Sequence, residues 1–195
     1  MYSIRIETAI TTMLEAHGLN RRKSGGGFQA SHTLSVALIL ADYEFDEDTM
    51  IAALLHDTLE DTELRPDKIE KAFGPQVLAV VRDVSEPPKP LAWRDRKLKY
   101  IQQIRESPRQ GTYAVAAADK IHNLSKMAEG IRQQGENYIK PFTAPIIDMA
   151  WYHYTVLDTL RVKWDHKILR EQAQCFDAFL DAAETIDENV AKFKT

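Results

Sequence analysis

The 195-residue chain has a mass of 22.2 kDa and a formal net charge of −4, with 44% hydrophobic and 28% charged residues. This is ordinary globular usage, apolar enough to fill one core, and it excludes a disordered or collagen-like chain. The acidic balance offers no general attraction to nucleic acid, and the longest apolar stretch, residues 34–41, falls far short of the ~18 residues that span a bilayer.

Hydrophobic spacing is helical along nearly the whole chain. Ile6, Ile10, Met13 and Leu14 share one face of a first helix, closed by Gly18. The basic, glycine-rich segment RRKSGGGFQA follows as a loop. Ser31 is placed to cap a second helix, HTLSVALILADY, and Asp46 a third, EDTMIAALLHDTLED, both apolar enough to be buried. Pro66 and Pro75 sit at first-turn positions with Gly74 as a stop between them, which predicts short helices over 66–73 and 75–84. SEPPKPLA interrupts the pattern, and helices resume over 93–106, 113–134, 145–163 and 166–193. Alternating β-branched segments and internal repeats are missing, so the expected fold is all-α, one domain over 1–195.

A lone cysteine, Cys175, cannot form an internal disulfide, and MYSIRIETAI lacks the basic-then-apolar layout of a signal peptide. The expected compartment is a reducing cytoplasm.

The strongest chemical signal is LLHDTLEDT. Residues four apart share a helix face, so His56 above Glu60 and Asp57 above Asp61 would gather one imidazole and three carboxylates within a turn. A metal or bound cation would relieve the repulsion, and such donors suit a divalent ion such as Mn²⁺, Fe²⁺ or Zn²⁺. A solvated acidic helix end is the alternative for this segment alone. His32 heads an apolar helix, and Asp119 lies inside VAAADKIHNL, where an ionised carboxylate is costly unless it is paired, for instance with Lys120, or ligates a cation. His32, His56, Asp57 and Asp119 come from three helices, the convergence by which a helical bundle builds an interior metal site. Asn123, at i+4 from Asp119, would face the same cavity. Arg21, Arg22 and Lys23 offer charge for phosphates or for stacking on a base, and otherwise form a solvated basic loop. Arg94, Arg96, Lys97 and Lys99 carry the same ambiguity.

The order H…HD…D with these spacings resembles the HD phosphohydrolase superfamily. More narrowly it is similar to the hydrolase domain of the RelA/SpoT family and its small single-domain relatives, through RRKSGG, His32 with SVALILAD, ALLHDTLEDTEL, IEKAFGPQVLAVVRDVSE, WRDRKLKYI and ADKIHNL, over roughly residues 15–130. The resemblance implies an HD-domain helical bundle with its core over about 15–130 and C-terminal helices over about 138–193. It also implies hydrolysis of the 3′-pyrophosphate of guanosine tetra- or pentaphosphate with one Mn²⁺, although imidazole and carboxylate ligands equally accept Fe²⁺, Co²⁺ or Zn²⁺. Carried over by residue, His32, His56, Asp57 and Asp119 are the metal ligands, Glu60 and Asp61 the catalytic carboxylates, and Arg22, Lys23 and Asn123 the nucleotide contacts. The chain departs from the family pattern at Phe28 and Thr33, where tyrosine and proline are usual, and at Ala116 and Ser125, where basic residues are usual. These changes are expected beside the pocket.

No synthetase pattern follows the core, so purely hydrolytic activity is expected. The expected partner is a small nucleotide, with no nucleic acid or membrane, and a second copy of the chain is a candidate partner. Trp151, Tyr152, Tyr154 and Trp164 read as core or dimer-contact aromatics, His153 and His166 as non-ligands, and Cys175 as a buried small residue. Hydrolysis of another nucleotide or phosphoester, or nucleotide sensing around a purely structural metal, are the competing readings.

Overall fold

Ser3 opens α1 (Ile4–His17) with its hydroxyl accepting from the Ile6 amide, and Gly18 closes it at φ 53°, a left-handed angle that favours glycine. The computed structural model describes residues 3–22, 27–88 and 90–194. After α1 the chain folds back through an antiparallel bridge between Arg21 and Phe28. This bridge starts α2 (Gln29–Asp42) earlier than expected. Ser31 lies inside the first turn rather than at the cap, and its hydroxyl donates 2.7 Å back to the Phe28 carbonyl.

Asp46 caps α3 (Glu47–Leu55) as expected, accepting from the Thr49 amide at 2.8 Å. The single helix predicted over EDTMIAALLHDTLED is instead broken at His56 and Asp57, and a short α4 (Thr58–Asp61) follows. α5 (Pro66–Phe73) and α6 (Pro75–Val84) lie where their prolines place them, with Gly74 between them at φ 93°. α7 (Trp93–Glu106) also matches its prediction. The longest helix, α8 (Gln110–Gln134), starts three residues before the expected 113. α9 (Glu136–Ile139) was not foreseen, α10 covers Ile146–Lys163, and α11 ends at Ala183 after starting at Ile168. The helix predicted over 166–193 is therefore two pieces. Asp187 accepts from the Asn189 amide and opens a separate 3₁₀ turn, Glu188–Phe193.

α8 is the axis. Ala114, Val115, Ala116, Ala117 and Ala118 are all buried, and these small side chains let neighbours approach the helix from every side. Its first half packs with α2, α3 and α6 into one core, and its second half with α10 and α11 into another containing Phe176, Phe179 and Leu180. Each such buried side chain contributes about 1.5–3 kcal/mol by leaving water. Among the described residues no helix is long and apolar enough to cross a membrane.

Gly130 matters for a different reason. The Tyr138 ring lies directly against its backbone, and any Cβ there would overlap the ring. Gly130→Ala is expected to displace Tyr138 and to cost about 1–3 kcal/mol, read from urea unfolding.

Candidate metal centre

His32 comes from the first turn of α2, His56 and Asp57 from the break between α3 and α4, and Asp119 from the middle of α8. The break lifts the His56-Asp57 pair out of a regular helix and turns both side chains toward α8. His56 Nδ1 lies 2.7 Å from the Ala53 carbonyl, which can only accept, so Nδ1 carries the proton and Nε2 the lone pair. That Nε2 is buried and has no hydrogen-bond partner among the described residues. It lies 3.2 Å from Asp57 Oδ1 and 3.8 Å from Asp119 Oδ1. His32 Nε2 lies 3.5 Å from Asp57 Oδ2 and 3.2 Å from Asp119 Oδ1.

One ligand atom from each of His32, His56 and Asp57 falls within 4.8 Å of the others, and Asp119 Oδ1 faces both imidazoles. Adjacent ligands about 2.1 Å from one ion are roughly 3 Å apart. The imidazole and carboxylate donors and the orphaned lone pair of His56 fit a divalent cation.

Each of the four side chains also has a partner outside the cage. The Gln29 amide donates to Asp57 Oδ2. Asn123 Nδ2 donates to Asp119 Oδ1 at 2.6 Å, and His32 Nδ1 lies 2.9 Å from His122 Nδ1. Lys120 does pair with Asp119, 2.5 Å from Oδ2, and leaves Oδ1 to the cage. Burial opposes charge on Asp119 and Lys120, but their mutual attraction prevails: the carboxyl is held well below its ordinary value and the ammonium well above. Lys120 is further enclosed by the Tyr100 and Tyr152 rings, 4.6 and 5.1 Å from its Nζ. Burial keeps His32 below its ordinary value, the state a ligand requires. Burial works against Asp57 as well, yet the His56 and His32 imidazoles keep its carboxyl lowered.

Glu60 and Asp61 stand on α4, a separate piece from His56 and its helix, which corrects the expectation of one continuous face. Glu60 accepts from the Glu86 amide at 2.7 Å. It reaches solvent through the cavity mouth, yet the walls strip enough water from its carboxyl, with Asp57 adding repulsion, to push it up to about 9. Asp61 Oδ2 lies 3.4 Å from Gln29 Nε2, so one amide touches both a cage carboxylate and a rim carboxylate.

Arg22 and Asn123 are brought together, Arg22 donating to the Asn123 side chain at 2.6 Å while its second guanidinium nitrogen, Nη1, is buried without a partner among the described residues. Lys23 lies outside the described residues. Arg96 and Lys97 reach the cavity wall through Glu86, whereas Arg94 turns away, 3.9 Å over Trp151 and bonded to Asp148.

Sequence reasoning missed Gln29, His122 and His17. Gln29 lies three residues before His32, and His122 three after Asp119, spacings that share a helix face. His17 ends α1 buried against the cavity with both ring nitrogens unpartnered, and burial lowers it. The cavity holds about 770 Å³, the size of a small-molecule site. It runs from Arg21 past the cage and along α8 to Met127, Gly130, Tyr138, Phe142 and Met149. Ala116 and Ser125 are not among its lining residues, and Ser125 instead lies 3.4 Å from Cys175, which is half-buried rather than buried. Thr33 is buried, and Phe28 lies 4.7 Å beneath the Arg21 guanidinium. His153 borders the cavity and His166 stacks on Trp164 at 4.5 Å; neither joins the cage.

An all-helical bundle with an interior cage of two histidines and two aspartates defines the class. The chain belongs to the HD-domain family, whose model matches residues 9–140. It is 36% identical over 116 residues, 60% of this chain, to a guanosine-3′,5′-bis(diphosphate) 3′-pyrophosphohydrolase of Aquifex aeolicus. It is 33% identical over 131 residues, 62% of this chain, to the bifunctional (p)ppGpp synthase/hydrolase SpoT of Escherichia coli. The matched parts cover only 15% and 18% of those proteins. Among solved structures, a metazoan ortholog of SpoT, described as hydrolysing ppGpp, superposes with a TM-score of 0.74 at 26% identity, covering 91% of this chain and 96% of that one. A protein from Listeria monocytogenes gives 0.65 at 28% identity, covering 75% and 91%.

Proposed function

We propose that the protein is a metal-dependent phosphohydrolase that removes the 3′-pyrophosphate of guanosine tetra- or pentaphosphate as pyrophosphate, leaving GDP or GTP. The observation that carries this reading is the buried, unpartnered His56 Nε2 facing Asp57 and Asp119, with two further carboxylates one short helix away. The substrate class is supported by the named activities of the Aquifex, Escherichia coli and metazoan relatives.

His32, His56, Asp57 and Asp119 would hold the ion, for which we propose Mn²⁺. Such an ion supplies an acidified water and withdraws charge from a phosphoryl oxygen. Glu60 and Asp61 would orient the attacking water and take its proton as its oxygen bonds to phosphorus and the bond to the 3′ oxygen breaks, and the same carboxyls would then pass a proton to the departing 3′ oxygen. Arg22, through its second guanidinium nitrogen, Nη1, would meet the nucleotide's phosphates together with Lys23, with Asn123 as a further nucleotide contact. The remainder of the nucleotide extends along α8 toward Met127 and Tyr138. We further propose that residues 1–195 act as one hydrolase unit in the cytoplasm, taking a free nucleotide rather than nucleic acid, and that its macromolecular partner is a second copy of the chain.

The test is release of GDP and pyrophosphate from guanosine tetraphosphate, with Mn²⁺ and after chelation, by wild type and Asp57→Ala in parallel. Release is expected only from metal-loaded wild type. A loaded protein that releases neither product overturns the substrate, and a panel of nucleotides and phosphoesters then decides what replaces it.

A further inference from the structure

Two cage histidines have their far nitrogens engaged, but by different chemistry. His56 gives its Nδ1 proton to a backbone carbonyl, which fixes the tautomer outright. His32 Nδ1 instead meets another imidazole, His122 Nδ1, at 2.9 Å. The ring centroids are 4.6 Å apart with planes inclined at 55°, a nitrogen-to-nitrogen contact rather than a stack. One proton lies between two nitrogens that can each give or accept it. If His122 donates, His32 carries its proton on Nε2, pointing at Asp119, and has no lone pair for a cation. If His32 donates, its Nε2 lone pair faces the cage.

We propose that His122 is the positioning residue of the metal centre: by accepting the Nδ1 proton of His32 it turns the Nε2 lone pair of that imidazole toward Asp57 and Asp119. His122 itself then carries its proton on Nε2. The proposal rests on the divalent-ion reading of the cage and adds to it which neighbour makes His32 a competent ligand. α8 thereby contributes a ligand and the orientation of a second ligand from residues three apart: Asp119 enters the cage, and His122, on the same face, reaches behind α2 to hold His32. Outer partners of this kind typically change metal affinity by 10–100-fold when removed.

Two measurements test it. In calorimetric titration with Mn²⁺ alone, His122→Phe is expected to bind 10–100-fold more weakly than wild type, and His122→Gln, whose side-chain carbonyl can accept the same proton, to recover most of that loss. Long-range ¹H–¹⁵N spectra of wild type loaded with diamagnetic Zn²⁺ are expected to show the His32 proton on Nδ1 and the His122 proton on Nε2. This second readout needs no variant to fold. A His122→Phe protein that binds Mn²⁺ as wild type does, or a His32 proton on Nε2 in the loaded protein, overturns the positioning role and leaves the metal centre standing. Wild type that binds no divalent ion overturns both readings together.

Discussion

Exchanging Glu60 and Asp61 for their amides, in Glu60→Gln with Asp61→Asn, is expected to lower kcat on guanosine tetraphosphate by about 10²–10⁴-fold while Mn²⁺ occupancy stays at the wild-type level. The two carboxylates stand on α4, beyond the break that sends His56 and Asp57 into the cage, so on the proposed assignment their loss should remove proton transfer without removing a ligand. The amides keep size and hydrogen bonding but take no proton. Loss of metal in the double variant would instead make Glu60 or Asp61 a ligand and overturn the division of roles. Glu60 alone gives a sharper readout through pH. A general base acts only when ionised, and desolvation, with repulsion from Asp57, raises this carboxyl to about 9 in the metal-free protein. A cation in the cage opposes the Asp57 contribution and pulls the value down. The ascending limb of kcat against pH should therefore lie above the ordinary carboxyl value of about 4.3 and no higher than about 9, and Glu60→Gln should abolish it.

Lys120→Met is expected to lower the free energy of unfolding of the metal-free protein by about 3–5 kcal/mol, the usual cost of leaving one member of a buried ion pair alone. Lys120 and Asp119 are only 5% and 7% exposed, so water replaces the lost partner poorly. The Tyr100 and Tyr152 rings enclose the ammonium, and their hydroxyls are neutral donors that carry no charge to replace it. Urea unfolding of Lys120→Met, of Asp119→Asn and of the double variant checks this, because removing both charges should restore much of what the lysine change alone loses. Equal losses in Lys120→Met and the double variant would show that the lysine acts by packing. Saturating Mn²⁺ should shrink the deficit, since a cation beside Asp119 supplies the missing charge.

Helix ends governed by local chemistry were legible in the sequence. Asp46, Pro66, Gly74 and Pro75 act through their own backbone neighbours, and the structure places each as its residue type demands. Ser31 misled because the start of α2 is set by a bridge to Arg21, seven residues before Phe28, and not by the nearest hydroxyl. The breaks at 56–57 and 184–187 were hidden because the apolar spacing continues across both; at the second, the Asp187 side chain opens a new turn by accepting from the Asn189 amide. Within the cage, the acidic cluster and the costly Asp119 pointed to ligands by charge alone. Gln29 and His122 carry no such signal, since an amide or an imidazole on a half-polar helix face is ordinary until its partner is known.

The step between α3 and α4 also divides the molecule's chemistry into exchangeable parts. On the proposed division of roles, the cage residues before this step end at Asp57, with Asp119 reaching them from α8, whereas the carboxylates proposed to meet water begin at Glu60, on a four-residue turn anchored by the Thr58 hydroxyl on the Leu55 carbonyl and the Thr62 hydroxyl on the Thr58 carbonyl. Such a turn can be grafted. A designer could rewrite residues 59–61 to present other acids, bases or a nucleophile over an undisturbed cation, and natural divergence could retarget the same scaffold by the same short route.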